Sequence, residues 1–135
     1  WHGLRARSLW FFTPANPMLT FGGFEGEGKR EMYAQLPPAL CPRSTCVRPG
    51  LSFAEAERHV RGEGFGYPFA VKPDVGMMGL LFRKINNAAE FQHYHERVPV
   101  TYLVQEFIDF PLEVSVFYYR LPGEARGTIT GFVRK

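Results

Sequence analysis

A lysine at the end of an apolar strand pattern is the first group in this sequence whose chemistry stands out. Phe69 and Val71 alternate with smaller or polar residues up to Lys72, which is the period of a strand with one buried face. Lys72 is therefore expected to face away from the core, and Gly76 and Gly79 bracket the loop that follows. A lysine beside the exposed amides of such a loop can hold a polyphosphate. The spacing is not that of a Walker loop. A plain hairpin with a solvated lysine has the same pattern, so this interpretation stays open.

A second polar group interrupts the apolar strand pattern of residues 102–108. Gln105 lies in the middle of that run, and Glu113 follows it. A side-chain amide and neighbouring backbone groups can read the edge of a purine, and a carboxylate can accept the two hydroxyls of a ribose. A half-buried strand with an outward polar face produces the same sequence, so both interpretations stay open at this point.

The composition is that of an ordinary globular chain and favours a local anion site. Of the 135 residues, 45% are hydrophobic and 21% are charged, and the net charge is +3. The arginines are scattered, which disfavours a broad nucleic-acid-binding face. Cys41 and Cys46 are too few for a zinc site and are predicted to be free thiols, which fits a reduced, cytoplasmic location. No apolar stretch approaches the roughly 20 residues of a membrane span, so no membrane partner is expected.

Helices and strands are predicted from capping residues and from the hydrophobic period. Ser52 and Glu55 form a capping box, and Asn87 with Glu90 begins another helix. The predicted helices span residues 29–36, residues 53 to about 62–64, and a segment from residue 87 onward. The predicted strands span residues 46–48, 67–72, 80–85, 101–108, 112–121 and 126–133, with a further short strand at 8–12 in an otherwise irregular lead-in.

The order of these elements predicts an α+β fold in which two helices cover one face of an antiparallel sheet. The connection between the strands at 67–72 and 80–85 is too short for a parallel crossover, so these two strands are expected to be antiparallel. The strands at 112–121 and 126–133 form a long hairpin, joined by a turn at Pro122, Gly123 and Glu124.

Together, these motifs resemble the ATP-grasp superfamily, which includes D-alanine:D-alanine ligases, glutathione synthetases and biotin carboxylases. In that family a strand ending in Val-Lys-Pro precedes a flexible glycine-rich loop that closes over the ATP phosphates, and Val71-Lys72-Pro73 is similar to it. The resemblance implies that Lys72 contacts the α and β phosphates. It also implies a lid formed by Gly76, Met77, Met78 and Gly79.

The run from Gln105 to Ile108 is similar to the strand that joins the two lobes of the family's fold. The resemblance implies that Gln105 meets the adenine amino group, although a glutamate is common at this position. Phe107 and Ile108 would present backbone groups to the ring, and Glu113 would bind the ribose.

Upstream, the segment around Lys29 resembles the place where the family has a first ATP-binding lysine at the start of a helix. Lys29 is therefore a second expected phosphate contact. Lys135, at the end of the last strand, resembles in position a later lysine that approaches the phosphates.

The resemblance also implies how the chain is divided. Residues 1–48 would be an irregular lead-in with a linker helix, residues 49–108 the ATP-grasp small lobe, and residues 109–135 the hinge with the first hairpin of an incomplete second lobe. The family's magnesium ligands lie well after the hinge, and no such segment follows Val133. We therefore expect no catalytic or metal-ligating residue in this chain and no turnover by it alone. An unpaired edge of the hairpin would favour self-association.

The function implied by the resemblance is that of an ATP-binding fragment. The parent ligase would use ATP and magnesium to activate a carboxylate as an acyl phosphate, which an amine or a similar nucleophile then attacks. The alternative is a non-enzymatic module whose aromatic strands and arginines bind a protein or single-stranded nucleic acid.

Overall fold

The computed structural model describes residues 1–11, 13, 18–24, 26–76 and 78–135. The helices of this described part are α1 (His2–Ala6), α2 (Lys29–Ala34), α3 (Phe53–Gly62) and α4 (Ala88–Arg97), with short 3-10 turns at Thr20–Gly23 and Pro38–Leu40. The strands are β1 (Ser44–Val47), β2 (Phe69–Pro73), β3 (Arg83–Ile85), β4 (Tyr102–Glu106), β5 (Val114–Tyr119) and β6 (Thr128–Arg134). Among the described residues, no helix has the length and apolar character needed to cross a lipid bilayer.

The main sheet has four antiparallel strands in the order β1-β4-β2-β3. The predicted antiparallel pairing of the two strands around the glycine-bounded loop is therefore confirmed, as is the α+β class. Strands β5 and β6 form a separate two-stranded sheet with a register irregularity after Phe117.

Helices α3 and α4 cover one face of the main sheet. Alternate residues of the strands point into the core on this face, as the two-residue period requires. The strand contribution consists of Val47, Phe69, Val71, Ile85, Tyr102 and Val104. The helices contribute Ala56 and Val60 from α3, and Phe91 and Tyr94 from α4. The predicted arrangement of two helices on one face of an antiparallel sheet is confirmed.

Both core helices begin at the predicted caps. The Ser52 hydroxyl accepts a hydrogen bond from the Glu55 amide at 3.3 Å, and the Glu55 carboxylate accepts one from the Ser52 amide at 2.8 Å. In α4, the Asn87 side-chain oxygen accepts from the Glu90 amide at 3.0 Å. Such a cap stabilises a helix by about 1 kcal/mol because it satisfies amides that have no partner within the helix.

Two predicted strands are wrong in part. The strand expected over residues 80–85 begins only at Arg83, because residues 80–82 form a turn in which the Phe82 amide donates to the Gly79 carbonyl at 3.0 Å. Leu81 adopts a positive φ of 58°, which is incompatible with a strand. The strand expected over residues 8–12 is replaced by turns at residues 9–11, after the short helix α1; Phe12 lies outside the described residues.

The β5–β6 hairpin exposes apolar side chains on both faces. These strands pair with each other and with no other described strand. Their exposed large apolar residues are Val114, Val116, Phe117, Tyr118, Tyr119, Ile129, Phe132 and Val133. An isolated two-stranded hairpin is marginally stable in water, so this part of the chain gains little from its own packing.

The core contains two buried tyrosines, and only one of their hydroxyls forms a hydrogen bond within the described residues. The Tyr94 and Tyr102 rings meet edge to face, with centroids 5.2 Å apart. Tyr102 Oη lies 2.8 Å from Nδ1 of His95, whose Nε2 lies 2.8 Å from the Leu51 carbonyl. Because a carbonyl only accepts, His95 donates through Nε2, and in that tautomer its Nδ1 accepts a hydrogen bond from the Tyr102 hydroxyl. Among the described residues, the Tyr94 hydroxyl is the one buried side-chain nitrogen or oxygen without a partner.

The substitutions Tyr94→Phe and Tyr102→Phe are therefore expected to change stability in opposite directions. Tyr94→Phe should raise the free energy of unfolding by about 1 kcal/mol, since it removes a buried hydroxyl that has no hydrogen bond. Tyr102→Phe should lower it by about 1 kcal/mol, since it breaks the bond to His95. Urea denaturation of the two variants and the parent measures both changes; shifts of the same sign would contradict this account of the core.

Candidate functional site

The start of α2 is anchored to the loop that follows β2. The Lys29 amide donates to the Asp74 carbonyl at 3.0 Å, and the Arg30 amide donates to the Asp74 carboxylate at 3.1 Å. The Arg30 guanidinium also pairs with that carboxylate at 3.4 Å. Gly28 forms an isolated antiparallel bridge with Val75. Asp74 thus supplies acceptors for the free amides of a helix start and fixes α2 beside the end of β2.

Lys72 lies on the sheet face opposite the core, as its strand alternation predicted. It is paired with Leu103 in the register of β2 and β4, and Gln105 lies two residues further along the same face. Diagonal neighbours of this kind are within reach of long side chains. Lys72 Nζ donates to Gln105 Oε1 at 2.8 Å and to Tyr33 Oη, on α2, at 2.8 Å.

Tyr33, on α2, contacts both Lys72 and Gln105. Its hydroxyl oxygen also accepts from Gln105 Nε2 at 3.3 Å, and Lys72 Nζ lies 5.3 Å from the centre of its ring. Gln105 is 6% exposed and is the buried polar residue of the described chain. Lys72, Tyr33 and Gln105 thus form a closed set of three hydrogen bonds that holds the Lys72 ammonium group in one orientation. The set also provides partners for the buried Gln105 amide, which would be costly to bury without them.

Lys29 bridges the helix and the glycine-bounded loop. Its ammonium group donates to the Asp74 carbonyl at 3.2 Å and to the Gly76 carbonyl at 2.9 Å. An ammonium group has three donors, and the contacts within the described residues use two of them on Lys29 and two on Lys72. One N–H of each lysine is left for an incoming acceptor.

The charges of the two lysines are not paired with any carboxylate that the structure describes. In the described part of the chain, no acidic group lies within ion-pair distance of Lys29 or Lys72, and the Asp74 carboxylate pairs with Arg30 instead. Burial lowers the pKa of Lys29, and the charge of Lys72 lowers it further, against a weaker opposing effect of Asp74. Burial raises the pKa of the Tyr33 phenol, but hydrogen bonds from Lys72 and Gln105 outweigh it and bring the pKa below its usual value. The site therefore carries excess positive charge that an anion would relieve.

These groups line a cleft of about 760 Å³. Its walls are Gly23, Phe24, Gly26, Glu27, Lys29, Met32, Tyr33, Lys72, Val75 and Gly76. Gly26 has a φ of 106°, and a Cβ at this position would meet Val75 Cγ1 at 2.6 Å, so a side chain there would collide with the wall. The volume is within the roughly 300–1,000 Å³ of typical small-molecule sites.

The structure brings four of the predicted site residues together: Lys29, Lys72, Gly76 and Gln105. The other loop residues are less engaged. Met78 is 98% exposed, Gly79 lies in the turn before β3, and Met77 lies outside the described residues.

The residues predicted to contact adenosine have other partners. Phe107 packs under the Lys84 ammonium, which lies 4.0 Å from its ring centre, and Ile108 is half exposed. Glu113 pairs with Lys135 at 2.5 Å, where β5 begins and β6 ends. The adenosine contacts stay a prediction.

Two site residues escaped the sequence analysis, Tyr33 and Asp74. Tyr33 follows Lys29 by four residues, so the two share a face of α2, and this spacing was a usable signal. Asp74 follows Lys72 and Pro73 directly, and its role as an acceptor for α2 depends on a contact between distant parts of the chain. Nothing in the local pattern reveals that contact.

The comparisons with known proteins provide no family for the chain. No protein-family model matches the sequence, and none of the curated proteins matches it. Within the described residues there is also no group of three or more His, Cys, Asp or Glu side chains that could hold a metal ion.

Removal of the Lys72 charge is expected to raise the pKa of both Lys29 and Tyr33. Lys29 would lose a neighbouring like charge, and the Tyr33 phenolate would lose a hydrogen-bond donor. Lys72→Met keeps the length of the side chain, and NMR titration of selectively labelled lysine and tyrosine follows both groups. Lys84→Met is the matched control, since the Lys84 ammonium lies over Phe107. Unchanged pKa values in Lys72→Met, or equal shifts in the control, would show that the three groups do not form one electrostatic unit.

Proposed function

We propose that the cleft beside Lys29 and Lys72 binds the phosphate chain of ATP, and that the chain is the nucleotide-binding part of an ATP-grasp-like ligase. One observation carries the proposal: two ammonium groups beside a glycine-bounded loop have no ion-pair partner among the carboxylates that the structure describes. Burial of like charges without compensation is unfavourable, so such an arrangement is typical of a site that receives an anion.

Each residue of the cluster has a role in this proposal. Lys29 and Lys72 each donate one N–H to a phosphate oxygen, with hydrogen bonds strengthened by charge. Tyr33 and Gln105 are positioning residues, because they hold the Lys72 ammonium in place. Lys29 also holds the Gly76 carbonyl, so a phosphate that draws Lys29 away would loosen the loop and let it close over the ligand.

The adenosine part of the proposal follows from the resemblance to the family. Gln105 would meet the adenine amino group, the backbone of Phe107 and Ile108 would meet the ring edge, and Glu113 would accept the ribose hydroxyls. The Gln105 side-chain oxygen already accepts from Lys72, so an adenine contact would share that oxygen, which has two lone pairs. Glu113 would exchange its ion pair with Lys135 for the ribose.

In the family, bound ATP supplies the phosphoryl group that converts a carboxylate to an acyl phosphate for attack by an amine or similar nucleophile. The residues described above would bind and orient the nucleotide. None of them is assigned to the acceptor substrate, and no step here depends on a metal ion.

Calorimetric titration of ATP, tripolyphosphate and adenosine into the chain tests the proposal. ATP and tripolyphosphate should bind, and Lys29→Met or Lys72→Met should each weaken both by about tenfold or more, the effect of one lost charge-assisted hydrogen bond. Weak adenosine binding should be unaffected by Lys29→Met, because adenosine has no phosphate and Lys29 does not contact Gln105. The titrations are run with and without magnesium, at concentrations where sedimentation shows a single species, since the exposed β5–β6 hairpin favours self-association.

Arg58→Met is the matched control, because it removes one exposed positive charge from α3, on the other side of the sheet. It should change ATP binding less than twofold, by the rule that exposed single charges contribute little. A folded chain that binds neither ATP nor tripolyphosphate contradicts the proposal, as does an effect of Arg58→Met equal to that of Lys72→Met. Tighter, salt-dependent binding of a single-stranded oligonucleotide would favour the interaction module instead.

A further inference from the structure

A second cleft lies on the other face of the sheet, between the edge strand β3 and helix α4. It has a volume of about 660 Å³. Its apolar surface comes from Leu81, Ile85, Ala89 and Val98. Since α3 and α4 cover the face that carries Phe69 and Val71, this groove is separated by the sheet from Lys72 and Gln105.

The groove is lined by two guanidinium groups. Arg83 enters from β3 and Arg97 from α4, which also contributes His93 to the lining. Within the described residues, no carboxylate lies within ion-pair distance of Arg83 or Arg97. Lys84 also lines the groove, but its ammonium group lies over the Phe107 ring. The two guanidinium groups are thus the cations available to a ligand.

The one acidic residue of the groove is already engaged by the cap of α4. One carboxylate oxygen of Glu90 accepts from the Asn86 amide at 2.8 Å and from the Asn86 side chain at 3.0 Å. The other oxygen accepts from the Asn87 side chain at 3.0 Å. Glu90 is therefore committed to the helix start, and the two guanidinium groups stay uncompensated.

Tyr94 also lines the groove, but its hydroxyl is not accessible from it. The residue is 6% exposed, and the hydroxyl has neither a hydrogen-bond partner nor exposed surface of its own. Burial raises the pKa of Tyr94 to about 12, and the nearby Arg83 guanidinium opposes this effect. The hydroxyl is covered by its neighbours, so a ligand in the groove does not reach this donor.

We propose that this groove binds a small organic carboxylate with an apolar body. The carboxylate accepts hydrogen bonds from Arg83 and Arg97, and the apolar body packs on Leu81, Ile85 and Val98. The planar fork of a guanidinium matches a carboxylate, and the apolar wall extends from the charged end. A peptide fits less well, because β3 has only three residues and offers few backbone groups for an added strand.

Octanoate is the probe, with octanol and octylammonium as uncharged and positively charged matches of the same length. NMR titration of the whole chain should show octanoate shifting the amides of β3 and α4. Octanol should bind about tenfold more weakly, because it lacks the charge-assisted hydrogen bonds, and octylammonium should bind least.

Variants identify the groups that bind. Arg83→Gln and Arg97→Gln should each weaken octanoate binding by about tenfold, as expected for the loss of one charge-assisted hydrogen bond. Arg58→Gln, on α3, is the control and should leave binding unchanged.

Equal binding of octanoate and octanol overturns the proposal, as does octanoate binding that is insensitive to both Arg83→Gln and Arg97→Gln. Amide shifts centred on Lys29 and Lys72 overturn it too, because they would place the probe in the first cleft. The nucleotide titration tests the cleft on the opposite face of the sheet. The two proposals can therefore fail independently of each other.

Discussion

Burial of one face of the central strands β2 and β4 determines what lies on the other face. A strand has a period of two residues, so once Phe69 and Val71 pack against α3 and α4, Lys72 must point away from them. The same constraint on β4 buries Tyr102 and Val104 and turns Gln105 toward Lys72. A shift of one residue in either register would bury the lysine and expose the core, which makes the polar cluster as strongly specified as the core itself.

Asp74 adds the third component of this cluster. It holds the start of α2 through the amides of Lys29 and Arg30, and that position brings Lys29 and Tyr33 over the polar face of the sheet. Its carboxylate is used by Arg30 and is not directed at either lysine. The Asp74 carboxylate thus stabilises the scaffold and does not form an ion pair with either ammonium group. The Arg30–Asp74 ion pair is thus structural, and the ammonium groups of Lys29 and Lys72 form the part of the cluster that we propose to bind an anion.

The sequence predicts what depends on neighbours along the chain and misses what depends on distant contacts. The caps at Ser52 and Asn87 and the alternation leading to Lys72 are local, and each is confirmed. The turn at Leu81 is missed because apolar residues after a glycine resemble a strand until the backbone angle is known. Tyr33 is missed as a partner of Lys72 because the helix and the strand are distant in sequence and meet through contacts, such as those of Asp74, that no local pattern shows. The groove between β3 and α4 has no motif, since its residues come from two elements that become adjacent only in the fold.

The strand order has a consequence for how the chain acquires its structure. Strands β1 and β2 never touch each other, and both pair with β4, the last of the four to be synthesised. The β2–β3 hairpin can form early because its strands are close in sequence, but β1 must wait for residues far downstream. On a ribosome, Lys72 would emerge well before Gln105, so its polar partners become complete only when β4 inserts between the two waiting strands. We therefore expect the insertion of β4 to be the slow, committing event of folding, and the polar cluster to be among the last features to appear.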